Sequence, residues 1–110
     1  MNMMIINGQK ATISYDEGVD MFRGEFVGLS GGADFYAKDI NGLHEEGMIS
    51  LSVFLGMCKE DGVEPFKNFS GKFNVRINPE LHADIVAAAK SKGESLNQFV
   101  AETLQRATQT

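Results

Sequence analysis

The stretch that decides the fold is Lys72-Phe73-Asn74-Val75-Arg76-Ile77, in which polar and apolar side chains alternate strictly. Alternation with a period of two is typical of a β-strand that buries one face and exposes the other. The pattern therefore predicts a half-buried strand whose apolar face, formed by Phe73, Val75 and Ile77, requires a core to pack against.

Two short helices are predicted to follow this strand. Asn78 caps the first helix, Pro79 suits its first turn, and Gly93 ends it. Ser95 caps the second helix, and Gln98 stands three residues later and completes a capping box. Each helix carries apolar residues at helical spacing: Leu81, Ile85, Ala88 and Ala89 on the first, and Leu96, Phe99, Val100, Thr103, Leu104 and Ala107 on the second.

A single strand with two short helices cannot form a stable sheet, so we expect it to pair with the strand of a second copy. The resulting antiparallel ribbon would lie over four helices. The residues expected to hold this homodimer together are Phe73, Val75, Ile77, Leu81, Ile85, Phe99, Val100 and Leu104.

The other face of the ribbon would display Lys72, Asn74 and Arg76 from each copy. A two-stranded ribbon fits the major groove of double-stranded DNA, where Arg and Lys donate hydrogen bonds to guanine and Asn bonds adenine. The sequence therefore predicts a DNA-reading strand. The alternative is that these three polar side chains are merely solvated, as most exposed charges are.

The preceding part of the chain begins with strand patterns. Met3–Ile6 and Ala11–Tyr15 flank the turn signal Asn7-Gly8 and predict a β-hairpin. Met21–Val27 predicts a further strand and Phe35–Ala37 a short one, and we interpret these segments as a three-stranded antiparallel meander.

One amphipathic helix is predicted from about Asn41 to Asp61, packed over the meander. Its apolar residues at helical spacing are Leu43, Ile49, Leu51, Phe54, Leu55 and Cys58. Asp61-Gly62 ends the helix, and Phe66–Ser70 then forms either a fourth strand of the sheet or a short connector. The fold class is therefore α+β, with a βββα(β) domain at residues 1–69 and a strand-helix-helix domain at residues 70–110.

Charge is distributed unevenly between these two domains. Residues 1–69 carry five basic and eleven acidic residues, a net charge of −6, whereas residues 70–110 carry five basic and four acidic residues, a net charge of +1. The two domains should therefore prefer different partners.

The single cysteine, Cys58, excludes an internal disulfide framework and a Cys-rich metal site, and its apolar helical pattern favours core packing. With apolar runs too short to span a membrane and no leader pattern, we expect a cytoplasmic protein that does not bind membranes.

Catalysis is not expected. The acidic residues that a metal-dependent nuclease would need do not converge in the sequence, and His44 and His82 lack both metal-ligand spacing and a nearby nucleophile. The acidic residues considered are Asp16, Glu17, Asp20, Glu25, Asp34 and Asp39. We therefore predict no cofactor, no metal and no enzymatic activity.

The strand, Pro79 and the Gly93–Gln98 segment resemble the ribbon-helix-helix repressor family. In that family the polar strand residues contact bases, which carries over to Lys72, Asn74 and Arg76. The start of the second helix holds a DNA phosphate, which carries over to Ser95, Leu96 and Asn97. Free backbone N–H groups and the helix dipole give this second role an independent physical basis.

Nearly the whole chain resembles the HicB antitoxin family. The segments that carry the resemblance are Met21–Phe26, Gly31–Ala37, Gly42–Gly47, Phe69–Arg76 and Ser95–Gln98. The resemblance implies a type II toxin-antitoxin module in which a partial RNase H-like N-terminal domain covers a HicA-type toxin that cleaves mRNA. The C-terminal domain would repress the operon as a homodimer or a dimer of dimers. The acidic N-terminal domain is compatible with a basic toxin.

Two other functions compete with this interpretation. The first is a stand-alone transcriptional repressor whose N-terminal domain senses a ligand or sets the oligomeric state. The second is a nuclease whose N-terminal domain retains metal-dependent activity.

Overall fold

A computed structural model describes residues 2–109, so the predicted domain limits at Met1 and Thr110 lie outside the described residues. The chain divides into two compact units with the boundary between Ser70 and Gly71. Unit 1 contains an antiparallel sheet and one helix, and unit 2 contains two helices. The α+β class is confirmed.

Unit 1 begins with a four-stranded antiparallel sheet in the order β1-β2-β3-β4. The strands are β1 (Met3–Ile6), β2 (Gln9–Asp16), β3 (Met21–Phe26) and β4 (Asp34–Ala37). The prediction of three strands was therefore wrong in number, because both arms of the hairpin and both later segments each form a strand.

The predicted Asn7-Gly8 turn is confirmed. Ile6 pairs with Gln9, so two residues connect β1 to β2. Both have positive φ, 49° at Asn7 and 81° at Gly8, which is the backbone that a type I′ hairpin turn requires. The turn also matches the right-handed twist of the strands that it joins.

Helix α1 (Ile40–Asp61) packs on this sheet. It begins where the Asp39 carboxylate accepts a hydrogen bond from the Gly42 N–H at 2.6 Å, and it ends at Gly62, whose φ of 67° gives a left-handed cap. The core between helix and sheet consists of Ile6, Ala11, Phe26, Leu29, Phe35, Ala37, Leu43 and Leu51.

The packing face of α1 differs from the prediction at one position. Ile49 was predicted to face the sheet but is exposed, whereas Leu43, Gly47, Leu51 and Cys58 are buried. The buried set recurs at intervals of four and seven residues, and Ile49 falls outside that face because it lies two residues from both Gly47 and Leu51.

Two glycines allow the helix and the sheet to approach closely. A Cβ at Gly47 would lie 2.3 Å from Ile6 Cδ1 and 3.2 Å from the Phe35 ring. A Cβ at Gly24 would lie 2.2 Å from that same ring, because Gly24 and Phe35 are cross-strand partners. The Phe35 ring therefore occupies the space that side chains at both positions would need.

The segment after α1 is a connector fastened to the loop between β3 and β4, and it does not form another strand. Ser30 N–H donates to the Pro65 carbonyl at 2.8 Å and Lys67 N–H donates to the Gly28 carbonyl at 2.9 Å, on either side of an isolated bridge between Leu29 and Phe66. These contacts make residues 65–67 part of unit 1.

Unit 2 contains helices α2 (Pro79–Ser91) and α3 (Leu96–Thr108). The predicted cap at Asn78 is confirmed, since its side chain accepts from the Leu81 N–H at 2.7 Å. Gly93, with a φ of 70°, joins the two helices in the left-handed conformation that was expected to end the first.

The predicted half-buried strand at residues 72–77 is not formed in the single chain. The structure assigns no secondary structure there, and all six residues are exposed. A strand exists only when another strand accepts and donates its backbone hydrogen bonds, and this segment pairs with no strand among residues 2–109.

Candidate dimerisation groove and nucleic-acid interface

An open apolar groove of about 390 Å³ runs along unit 2. The extended segment and both helices contribute to it. Its lining is Phe73, Val75, Ile77, Leu81, His82, Ile85, Leu96, Phe99, Val100, Thr103 and Leu104, which includes every residue predicted to hold the homodimer together. The fold therefore gathers residues that are up to 31 positions apart in the sequence, from 73 to 104, onto one surface.

These apolar side chains are poorly covered in the single chain. Phe73 is 71% exposed and Val75 is 67% exposed. Ala89 is the only buried residue that unit 2 shows among residues 71–109. A unit of this size with so small a core gains little stability from its own packing, so covering the groove would supply most of its apolar burial.

The polar residues predicted to read DNA alternate with the residues that line the groove. Phe73, Val75 and Ile77 line it, whereas Lys72, Asn74 and Arg76 do not, and all three are exposed. If two copies pair as strands over the groove, the three polar side chains would lie on the other face of the extended segment. A dimer paired in this way would carry each of these three residues twice.

The start of α3 has the predicted capping box. Ser95 Oγ accepts from the Gln98 N–H at 3.1 Å, and Gln98 Oε1 accepts from the Ser95 N–H at 3.0 Å. Because this reciprocal pair uses the amides of Ser95 and Gln98, the first-turn amides left to meet an anion are those of Leu96 and Asn97.

An acidic pair lies beside the start of α3. Glu94 precedes the cap, and its Oε2 is buried without a hydrogen-bond partner among residues 2–109. Burial is the largest cause that raises the pKa of Glu94, and a side-chain hydrogen bond with Glu102 and the charge of Glu102 raise it further, against the opposing charges of Lys92 and Arg106.

Unit 1 does not assemble a metal site from the carboxylates considered in the sequence. Residues 2–109 contain no group of three or more His, Cys, Asp or Glu side chains that could hold an ion. Two of the carboxylates instead pair with Arg23, whose guanidinium lies 3.1 Å from both Glu25 and Asp34. The hydrogen bond to Asp34 is the main cause that raises the pKa of Arg23.

The remaining candidate side chains lie where the sequence indicated. His44 and His82 are exposed, and Cys58 is a buried free thiol. In the part of the chain that the structure describes, each helix is too short or too polar to cross a membrane.

Sequence reasoning missed one surface. Ile49, Val53 and Met57 are exposed on α1, yet they recur every four residues and therefore share one side of the helix. The available signal was that α1 carries apolar residues all around its circumference, more than one packing face can bury.

Comparison with known proteins identifies one family. A family model described as the HicB family matches residues 54–104, which cover the end of α1, the connector and most of unit 2. No curated protein and no solved structure matches the chain. The match shows that this part of the chain is similar to the HicB family.

Proposed function

We propose that this protein is the antitoxin of a type II toxin-antitoxin module. Unit 1, a partial RNase H-like domain, binds and neutralises a HicA-type mRNA-cleaving toxin. Unit 2, a ribbon-helix-helix domain, dimerises and represses the operon that encodes both proteins. Neither role requires catalysis, a cofactor or a metal.

The observation that carries the proposal is the apolar groove of unit 2, which lies largely in the segment that matches the HicB family. Its residues from the extended segment occupy alternate positions, as they would in a strand that pairs with a second copy. Pairing would complete the backbone hydrogen bonds of residues 72–77 and cover Phe73 and Val75 in the same event.

DNA reading follows from the dimer. The paired segments form a two-stranded ribbon, and the side chains of Lys72, Asn74 and Arg76 enter the major groove, while the amides at the start of α3 hold a phosphate. A twofold dimer reads a palindromic operator, and two dimers on adjacent half-sites would form a dimer of dimers.

Toxin neutralisation is assigned to unit 1 because its charge suits a basic RNA-binding protein. The net charge of residues 1–69 is −6, which favours encounter with a cationic surface and disfavours RNA itself. Binding would occlude the toxin's RNA surface stoichiometrically.

Co-expression tests the antitoxin role. We expect the protein to co-purify with the small basic protein that the adjacent gene encodes. We also expect it to restore the growth of cells that express that gene. A stand-alone repressor would do neither. Co-purification with growth still arrested would argue against neutralisation by direct binding.

A gel-shift titration with the promoter region of the operon tests the ribbon. Arg76→Ala removes a base-reading side chain from an exposed position, so we expect operator binding to weaken by about 1 to 3 kcal/mol. The dimer should persist in sedimentation equilibrium. An unchanged operator affinity would refute the assignment of this strand to DNA.

A further inference from the structure

Helix α1 has an exposed apolar ridge formed by Ile49, Val53 and Met57. Their exposed fractions are 57%, 57% and 56%, so each side chain presents more than half of its surface to solvent although none is polar. Residues four apart on a helix are neighbours, which makes the three side chains one continuous strip rather than scattered exposures.

Acidic residues border this ridge. At about 100° per residue, Glu45, Glu46 and Glu60 lie within about 80° of Val53 around the helix, whereas Lys59 lies about 120° away. Glu45 and Glu46 lie at the N-terminal end of the ridge, one turn before Ile49, and Glu60 lies at its C-terminal end, one turn after Met57. Asp34 of β4, whose carboxylate is paired with Arg23, shares a shallow cavity with Val53 and Met57. The ridge is therefore an apolar strip within a rim of carboxylates.

The ridge is held in a fixed position. Ser50 Oγ donates to the Asp34 carbonyl at 3.2 Å, which ties this part of α1 to β4. Leu51 and Cys58, on the opposite side of the same turns, are buried against the sheet. A partner that binds here would not have to order the helix first, so little binding energy would be lost to ordering.

Charge decides what can cover the ridge. A second copy would bring another acidic rim against this one, within domains that each carry a net charge of −6, and nucleic acids and anionic membranes are also repelled. A basic protein surface with an apolar centre is complementary in both respects.

We propose that the Ile49-Val53-Met57 ridge and its acidic rim are the docking surface for the basic toxin, an inference that rests on the proposed function. The apolar strip supplies the buried centre of the interface. The carboxylates around it steer the encounter and set the register.

Isothermal titration of the purified full-length protein with the purified product of the adjacent gene tests the inference. Val53→Glu buries an unpaired charge at the centre of the interface, so we expect the affinity to fall by about thirtyfold or more. Ile40→Glu is the matched control, because Ile40 is 66% exposed on the same helix but lies on the opposite side from Ile49. Its affinity should stay within about threefold of the parent.

Each outcome bears on the inference. Melting curves and helical circular dichroism should match among the three proteins, since both sites are exposed. Equal toxin affinity of Val53→Glu and the parent would overturn the docking surface and leave the antitoxin role intact. Failure of the parent to bind would instead overturn the antitoxin role and the inference with it.

Sedimentation equilibrium of the free proteins tests whether a second copy, instead of the toxin, covers the ridge. If Val53→Glu lowers the oligomeric state while toxin affinity is unchanged, a second copy covers the ridge and the inference is overturned. Charge reversal at Glu60→Lys should slow association with the toxin and reduce the dependence of its rate on salt. An unchanged rate and salt dependence would count against the acidic rim.

Discussion

At the scale of single residues, the glycines of unit 1 are steric requirements. Helix propensity alone suggests that glycine weakens α1, because glycine costs about 1 kcal/mol relative to alanine in a helix interior. At Gly47 that cost is outweighed, since Ile6 and Phe35 occupy the volume that a Cβ would need and both are buried.

Gly47→Ala should therefore destabilise unit 1 by about 1 to 3 kcal/mol, because the buried side chains of Ile6 and Phe35 would have to shift to admit the methyl group. Urea unfolding of the full chain measures the change. Gly56→Ala is the control on the same helix, since a Cβ there meets no atom within 4 Å. It should stabilise the protein by about 0.5 to 1 kcal/mol. Similar effects at both glycines would contradict the steric explanation.

The Glu94 and Glu102 pair makes unit 2 sensitive to pH. A carboxyl whose pKa is raised on folding contributes stability below its unfolded pKa and loses it as the pH rises through its folded pKa. Because burial and Glu102 raise the pKa of Glu94, unit 2 should lose stability as the pH rises past the ordinary range of a glutamate.

Glu102→Gln removes the repelling charge and supplies an amide that can donate to the buried Glu94 Oε2. We expect the variant to be more stable than the parent near pH 7 and less dependent on pH. Urea titrations between about pH 4 and about pH 8, followed by helical circular dichroism at fixed protein concentration, measure both quantities. Asp84→Asn controls for the loss of one exposed acid. If the parent instead became more stable as the pH rose over this interval, the effect of Glu94 on stability would have the opposite sign to the one expected, and the role given to the Glu94 and Glu102 pair would be refuted.

At the scale of elements, residues 72–77 have the sequence pattern of a strand but form no strand in one chain. Their alternation is a strand pattern, but the exposed Phe73 and Val75 show that a single chain provides no surface to cover them. Stability of unit 2 should therefore depend on protein concentration, because folding and dimerisation share the same apolar burial.

Val75→Glu tests this coupling. It places a charge in the dimer groove, so we expect a monomer in sedimentation equilibrium, a lower melting temperature and no operator binding at concentrations where the parent is saturated. The adjacent Asn74→Ala is the control, since Asn74 does not line the groove. It should remain dimeric and lose only DNA affinity. If both variants were monomers, the assignment of Val75 to dimerisation and of Asn74 to DNA binding alone would be contradicted.

At the scale of the whole molecule, the two units carry different charges and different exposed surfaces. Residues 65–67 are hydrogen-bonded to residues 28–30, so unit 1 includes its connector. A fragment that ends at Ser70 keeps these bonds, whereas one that ends before Pro65 loses them.

We expect the fragment that ends at Ser70 to bind and neutralise the toxin but not to bind the operator. Growth rescue and gel-shift titration measure the two activities separately. The fragment that ends at Glu64 should be less stable in urea, since it lacks the connector. A folded fragment ending at Ser70 that fails to restore growth would refute the assignment of neutralisation to unit 1.

The sequence by itself determined the local elements. Each turn and helix end is fixed by contacts within a few residues, so short-range chemistry was sufficient to predict it. These positions are Asn7-Gly8, Asp61-Gly62, Asn78-Pro79 and Ser95 with Gln98. The alternation at residues 72–77 likewise identified the groove-lining set, because the pleat period depends only on backbone geometry.

Only the tertiary structure decided which side chains are covered. Whether Ile49 faces the sheet depends on how α1 is rotated on it, and the attachment of residues 65–67 to unit 1 depends on the distant residues 28–30. The exposure of residues 72–77 follows from the absence of a pairing strand within residues 2–109 of one chain. These properties arise from contacts between positions far apart in the sequence, which local pattern and propensity do not encode.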